Sequence, residues 1–247
     1  MERYIDDNVS LGQGVKVGRF SIIESDVKVG NGVCIGDNVK IFKGTQIGSG
    51  VTIGDGAVVG KKPVFAVTST VKNRPLSAVS IADNSIIGTM AIIYAGSELG
   101  QECFMGDRAL VRENCLIGER TMIGTGVIVE NEATIGKNCK VQSGAYITAH
   151  TVLEDNVFIA PMVITTNDNY MGRTEGRLAA KQGPTIKYAA RVGGGALLLP
   201  GITVAEETFV AAGAVVTKNT EPGKVYMGVP SRVKRAVPQK EFIKQED

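Results

Sequence analysis

The 247-residue chain contains a single histidine, His150, and four cysteines. An imidazole is the side chain best suited to accept a proton near neutral pH. Counting from this histidine as position i, the carboxylate of Glu132 stands at i−18, and Asn167 and Asp168 stand at i+17 and i+18. Groups of these types can orient an imidazole or hold an ammonium ion. That is the chemistry of general acid–base catalysis. One imidazole cannot supply a histidine-rich metal site, and Cys34, Cys103, Cys115 and Cys139 match no metal-ligand spacing.

The spacing of these groups matters because of the elements that must carry them. An aliphatic residue recurs every six positions from Ile5 through Val59, from Ile81 through Ile159, and from Ile186 through Val216. Four positions after many of these stands a small residue, as at Ser85, Ala91, Ser97, Cys103, Ala109 and Cys115, and the position just after the aliphatic one is most often glycine. The runs hold 10, 14 and 6 hexads, 30 in all. Such a period marks a parallel β-helix in which each hexad is a short strand plus a turn and three hexads close one triangular coil. The expected fold is all-β, about ten coils stacked at roughly 4.8 Å, hence a prism about 48 Å long. Cys103, Cys115 and Cys139 fall on the small inward position, so the thiols are read as reduced packing groups.

Three hexads per coil place positions i and i+18 on one edge. Two edges carry mainly glycine after the aliphatic residue, as at Gly12, Gly30 and Gly48 or Gly18, Gly36 and Gly54. The third reads Asp6, Glu24, Phe42, Gly60, Tyr94, Arg112, Glu130, Thr148, Thr166, Leu199, Thr217. Both interruptions of the repeat, loops 61–80 and 166–185, leave from this edge, five coils or roughly 24 Å apart, provided the first skips no face. Long aperiodic loops in a compact fold are usually functional or disordered, and the second mixes aromatic, amide and charged groups. This edge is therefore the expected active site. His150 is the candidate base, Glu132 its orienting partner, and Asn167 and Asp168 are further catalytic candidates. Tyr94, Arg112, Glu113, Glu130, Asn131, Tyr170 and Arg173 are the candidates for substrate binding, the arginines suited to phosphate pairing and the tyrosines to base stacking.

Composition narrows the classes further. A net charge of +2 with no long basic tract gives no nucleic-acid signature. No run of 18 apolar residues offers a membrane span, and the first residues lack the apolar stretch of a signal peptide. A cytoplasmic location is expected. The repeat is assigned to residues 1–235, with a charged tail, 236–247, expected to form a short helix after Pro238 and to cover strand edges at the prism end.

The hexads resemble those of the left-handed β-helix acyltransferases over about residues 5 to 235. The more specific part is Pro200-Gly201-Ile202-Thr203-Val204, Val210 through Lys218, and Gly228-Val229-Pro230-Ser231-Arg232. The resemblance implies left-handed coiling, a homotrimer with sites between subunits, and acetyl-CoA as co-substrate with no metal. It also implies cofactor binding by the last coils, with Gly195 and Gly213 there and Lys218, Arg232 and Lys234 toward the nucleotide phosphates. Ile159-Ala160-Pro161, Thr166-Asn167-Asp168-Asn169-Tyr170 and Gly183-Pro184 are similar to N-acetyltransferases of nucleotide-linked amino sugars, such as those acting on dTDP-3-amino-3,6-dideoxyhexoses.

The expected activity is acetyl-CoA-dependent N-acetylation of a nucleotide-linked amino sugar, a 3-amino dideoxy sugar being favoured. Alternatives are a tetrahydrodipicolinate-type or O-acetyl transfer, or a non-enzymatic solenoid scaffold. A γ-type carbonic anhydrase would need three histidine ligands.

Overall fold

The computed structural model describes residues 2–69, 74–174, 176 and 181–243. Each hexad forms a two-residue strand whose first side chain points outward and whose second points inward. In Met122–Ile123, for example, Ile123 is buried. Each strand pairs in parallel with its counterpart one coil further on, as Val111 with Val129 and Val129 with Ile147. The inward aliphatic column and the small residues between strands form one continuous core from Ile23 to Val216.

The small inward residues do more than fit. Ser97 Oγ donates to the Arg112 carbonyl at 2.6 Å and accepts the Cys115 N–H at 3.1 Å, and Ser21, Ser85 and Thr121 do the same in their coils, so these buried hydroxyls stitch one coil to the next. Burial pushes the Cys115 thiol up to about 12 and the Cys139 thiol up to about 11, which keeps both protonated and inert.

Glycine after the aliphatic residue is required by stacking. A Cβ on Gly36 would lie 2.3 Å from Asp55 Oδ1 and 2.8 Å from Asp55 N in the next coil. The left-handed turn residue comes two positions later and accepts many types, among them Phe20, Asn38, Glu132 and His150.

The strands form three parallel faces of 11, 10 and 12 strands, here called sheets A, B and C. Among the described residues that is 33 strands, three more than the 30 hexads. The additions are Ile164–Thr165, where a buried threonine stands in the aliphatic column, and the hairpin Lys224–Met227 with Arg232–Ala236. The coil count is thus nearer eleven than ten. Sheet C ends in that antiparallel hairpin, so a strand rather than a helix closes its edge. The tail that follows forms one 3-10 turn, Gln239–Glu241, held to the side of the prism by Ile243 N–H to Glu207 Oε1 at 2.8 Å and by Arg191 to Glu241 at 3.1 Å. Residues 244–247 lie outside the described residues.

Both loops leave sheet A and rejoin sheet B. The strand Val58–Lys61 pairs with Ile92–Tyr94, and Ser80–Ile81 pairs with Gln46–Ile47 and Glu98–Leu99, so the first loop skips no face. Among the described residues, no helix is long and apolar enough to cross a membrane.

Candidate active site

The edge singled out by its side chains is the corner between sheets A and B. At its left-handed turn position Asn114, Glu132 and His150 stack in successive coils, with φ of 57°, 59° and 62°. Backbone bonds set the ladder: Glu132 N–H donates to the Glu113 carbonyl at 3.0 Å and His150 N–H to the Asn131 carbonyl at 3.2 Å. This ladder brings His150 Nδ1 to 3.2 Å from Glu132 Oε2, the two side chains being about two-fifths and one-third exposed. A carboxylate beside Nδ1 favours the tautomer that leaves Nε2 as proton acceptor.

Thr165 fixes the backbone from the coil above. Its Oγ1 accepts the Thr148 N–H at 2.7 Å and donates to the Tyr146 carbonyl at 3.1 Å. The second loop returns through Gly183-Pro184, so close that a Cβ on Gly183 would lie 2.6 Å from Thr151 N. Asn167 Nδ2 reaches the Ala149 carbonyl at 3.5 Å, directly beside His150. Asp168 shapes the loop, accepting Tyr170 N–H at 2.8 Å and Gly172 N–H at 3.1 Å. Tyr170 and Arg173 are exposed on that loop. Positions 175 and 177–180 of the second loop and 70–73 of the first lie outside the described residues.

Arg112 stands two coils below His150. It donates to Glu113 at 2.8 and 3.1 Å and to Glu130 at 3.5 Å, and its guanidinium lies 5.1 Å from the centre of the Tyr94 ring. Lys61 sits 5.4 Å from the same ring. Glu113 is only 4% exposed. Within this chain Arg112 is thus a tie inside the corner, bonded to the adjacent carboxylate and to the one stacked in the next coil. Tyr146 joins the same cluster, its hydroxyl pushed above the ordinary tyrosine value by burial and then by Glu130.

Two site groups escaped sequence reasoning. Arg74 of the first loop pairs with Glu132 Oε1, and Lys181 of the second loop acts on the imidazole. His150 is held below the ordinary histidine value first by burial, then by Lys181 and Arg74. Neither cation carries a periodic signal, because both lie in aperiodic loops. The threonine at position 165 did carry one: a hydroxyl in an otherwise aliphatic column, next to the candidate base.

The residues expected to bind cofactor divide between two places. Gly195 and Gly213 stack on the corner between sheets C and A, Gly213 N–H donating to the Gly194 carbonyl at 2.9 Å, with open space where a Cβ would stand. Lys218 and Arg232 line a cavity of about 300 Å³ at the last coil with Asn219, Tyr226, Ser231 and Val233. Lys234 is exposed on the neighbouring strand, Arg232–Ala236. Cations and open glycine turns in the last coils suit a long anionic ligand such as CoA.

A stack of hexads with this period and register defines a hexapeptide-repeat parallel β-helix. Residues 8–43 and 114–149 match the family described as bacterial transferase hexapeptide (six repeats). Over 96 residues, 38% of the chain, it is 31% identical to the Saccharomyces cerevisiae protein named "Putative acetyltransferase YJL218W". That stretch covers 49% of the yeast protein, so the match spans about half the length of this relative. In fold the chain is similar to the Arabidopsis UDP-N-acetylglucosamine acyltransferase, with a TM-score of 0.60 at 19% identity over 95% of this chain and 72% of that one. The corresponding Campylobacter jejuni enzyme gives 0.51 at 18% identity over 95% and 73%. At these identities the likeness is one of fold.

Proposed function

We propose that the protein is a CoA-dependent acyltransferase that acetylates the amine of a nucleotide-linked amino sugar, with a 3-amino dideoxy sugar favoured. The observation that carries this reading is the His150–Glu132 pair, set on the one corner from which both loops leave. Burial and the two loop cations keep the imidazole neutral to lower pH than usual, as a proton acceptor near neutrality requires. The acyltransferases of the same fold and the yeast relative's name support the same class.

In the reaction, His150 Nε2 takes a proton from the substrate ammonium, and the freed amine attacks the thioester carbonyl. The C–N bond forms and the C–S bond breaks; of the two protons that leave nitrogen, the one taken from the ammonium passes through His150 to solvent, and the one lost as the amide forms goes to the departing CoA thiolate. Glu132 holds Nδ1–H and steadies the imidazolium. Asn167, beside the Ala149 carbonyl, faces the amino group. Tyr170 and Arg173, exposed on the second loop, meet the nucleotide portion, and Lys218 and Arg232 meet the phosphates of CoA.

The active form is proposed to be a homotrimer. From Ile92 on, the outward residues of sheet A, which flanks the site corner, read Ile92, Leu110, Ile128, Tyr146, Ile164, Leu197 and Val215, whereas those of sheet B mix Leu116 and Val152 with Ser80, Glu98, Thr134, Thr185 and Thr203. A continuous apolar face of this kind suits burial against a second copy. A cytoplasmic location fits the acyl-CoA substrate and the four free thiols.

The test is a thiol-release assay with acetyl-CoA against UDP- and dTDP-linked 3-amino and 4-amino sugars, run beside a CoA-binding titration. Turnover of one sugar supports the reading. CoA binding with silence across the panel moves the acceptor elsewhere, to a hydroxyl or an amino acid. Absence of CoA binding refutes the transferase reading and favours a scaffold.

A further inference from the structure

We propose that Arg74, carried up from the first loop, is a positioning residue for His150, holding Glu132 by one carboxylate oxygen so that the other steers the imidazole. The inference rests on the reading of His150 as the proton acceptor. The geometry divides the carboxylate cleanly. Oε1 meets the Arg74 guanidinium, and Oε2 stands 3.2 Å from His150 Nδ1. The loop leaves the corner at Lys61, yet Arg74 meets Glu132 three coils further along the prism, about 14 Å away. Pro63, Phe65 and Leu76 line a cavity of about 30 Å³ with Arg74, Glu113, Asn131 and Glu132, so this part of the loop is seated on the corner.

A half-exposed ion pair adds little to stability, so the role of Arg74 lies in the field at the imidazole. Among the described residues, the charged groups gathered there are Glu132, with Glu113 below it, Arg74 from the first loop and Lys181 from the second. Asp168, 18 positions after His150, and Arg173 precede Lys181 in the second loop, the carboxylate of Asp168 accepting the Tyr170 and Gly172 N–H groups. Glu132 alone would favour the imidazolium and blunt the base. Arg74 offsets that charge while leaving the oxygen in place to hold Nδ1–H. The base is thereby oriented by a carboxylate without being made too ready to stay protonated.

His150 is the only histidine in the chain, so its ring signals in an NMR titration need no assignment. The substrate-free protein is titrated as wild type, Arg74→Gln and Arg74→Lys, with imidazole ¹⁵N shifts reporting the tautomer. Losing the cation leaves Glu132 unopposed, so Arg74→Gln is expected to move the midpoint upward and to mix the tautomers. Arg74→Lys keeps the charge and stays near wild type. A tether without electrostatic effect would leave the Arg74→Gln midpoint and tautomer unchanged, and that result overturns the proposal. Because no substrate is present, the outcome is independent of which acceptor the protein uses.

Discussion

Replacing His150 by asparagine separates chemistry from backbone. His150 sits at φ +62°, where asparagine is among the best-tolerated residues and most others carry a penalty of about 1–2 kcal/mol. The side chain is about two-fifths exposed, and its ion-pair partner among the described residues, Glu132, is one-third exposed. A pair in that setting is worth up to about 1 kcal/mol. In a chain of this size 1 kcal/mol corresponds to roughly 2–4 °C in Tm, so His150→Asn should unfold within a few degrees of wild type. General base catalysis contributes about 10²–10⁴-fold, or about 3–5 kcal/mol of barrier. Initial rates of thiol release at saturating acetyl-CoA should fall by that factor, with CoA affinity unchanged. Full turnover in the variant would refute the base assignment. A Tm loss of ten degrees or more would make the residue a structural one.

Three further outcomes test the frame around the site. Thr165→Val removes the acceptor of the buried Thr148 N–H and should cost about 1–3 kcal/mol in chemical denaturation; a Thr165→Ser control that keeps the hydroxyl should recover most of it, and an unchanged midpoint in Thr165→Val would contradict the bond's role. Gly36→Ala drives a Cβ to 2.3 Å from Asp55 Oδ1 and 2.8 Å from its backbone nitrogen, so it should destabilise by about 1–3 kcal/mol through overpacking. Were it neutral by thermal unfolding, close coil contact would not explain the glycine columns. Lys218→Ala with Arg232→Ala should weaken CoA by roughly tenfold at low salt and less at high salt; calorimetry showing equal affinity would move the phosphates away from the last coil.

Much of this architecture was legible because the β-helix converts sequence distance into spatial distance. A period of six gives the faces, a period of 18 gives the edges, and Glu132 beneath His150 follows from their spacing alone. The tie between Arg112 and Glu130 obeys the same rule, although the sequence does not tell a charge that binds substrate from one that braces the corner. Legibility stops where periodicity stops. Arg74 and Lys181 reach the site through loops whose path no repeat dictates. Thr165 hides one strand because a threonine occupies an aliphatic column and satisfies its hydroxyl on backbone groups. The hairpin of Lys224–Met227 and Arg232–Ala236 departs from the hexad spacing and pairs antiparallel, so the edge covering expected of a helix belongs to a strand.

The central claim is that His150 accepts the proton in acyl transfer. The most direct measurement compares the acid limb of kcat/KM with the NMR titration of this single imidazole. Burial, Lys181 and Arg74 favour the neutral ring, so activity should rise with pH through a midpoint below the ordinary histidine value. The account predicts that the kinetic and imidazole midpoints coincide and that both move upward together in Arg74→Gln. A kinetic midpoint that stays in place while the imidazole midpoint moves would contradict it.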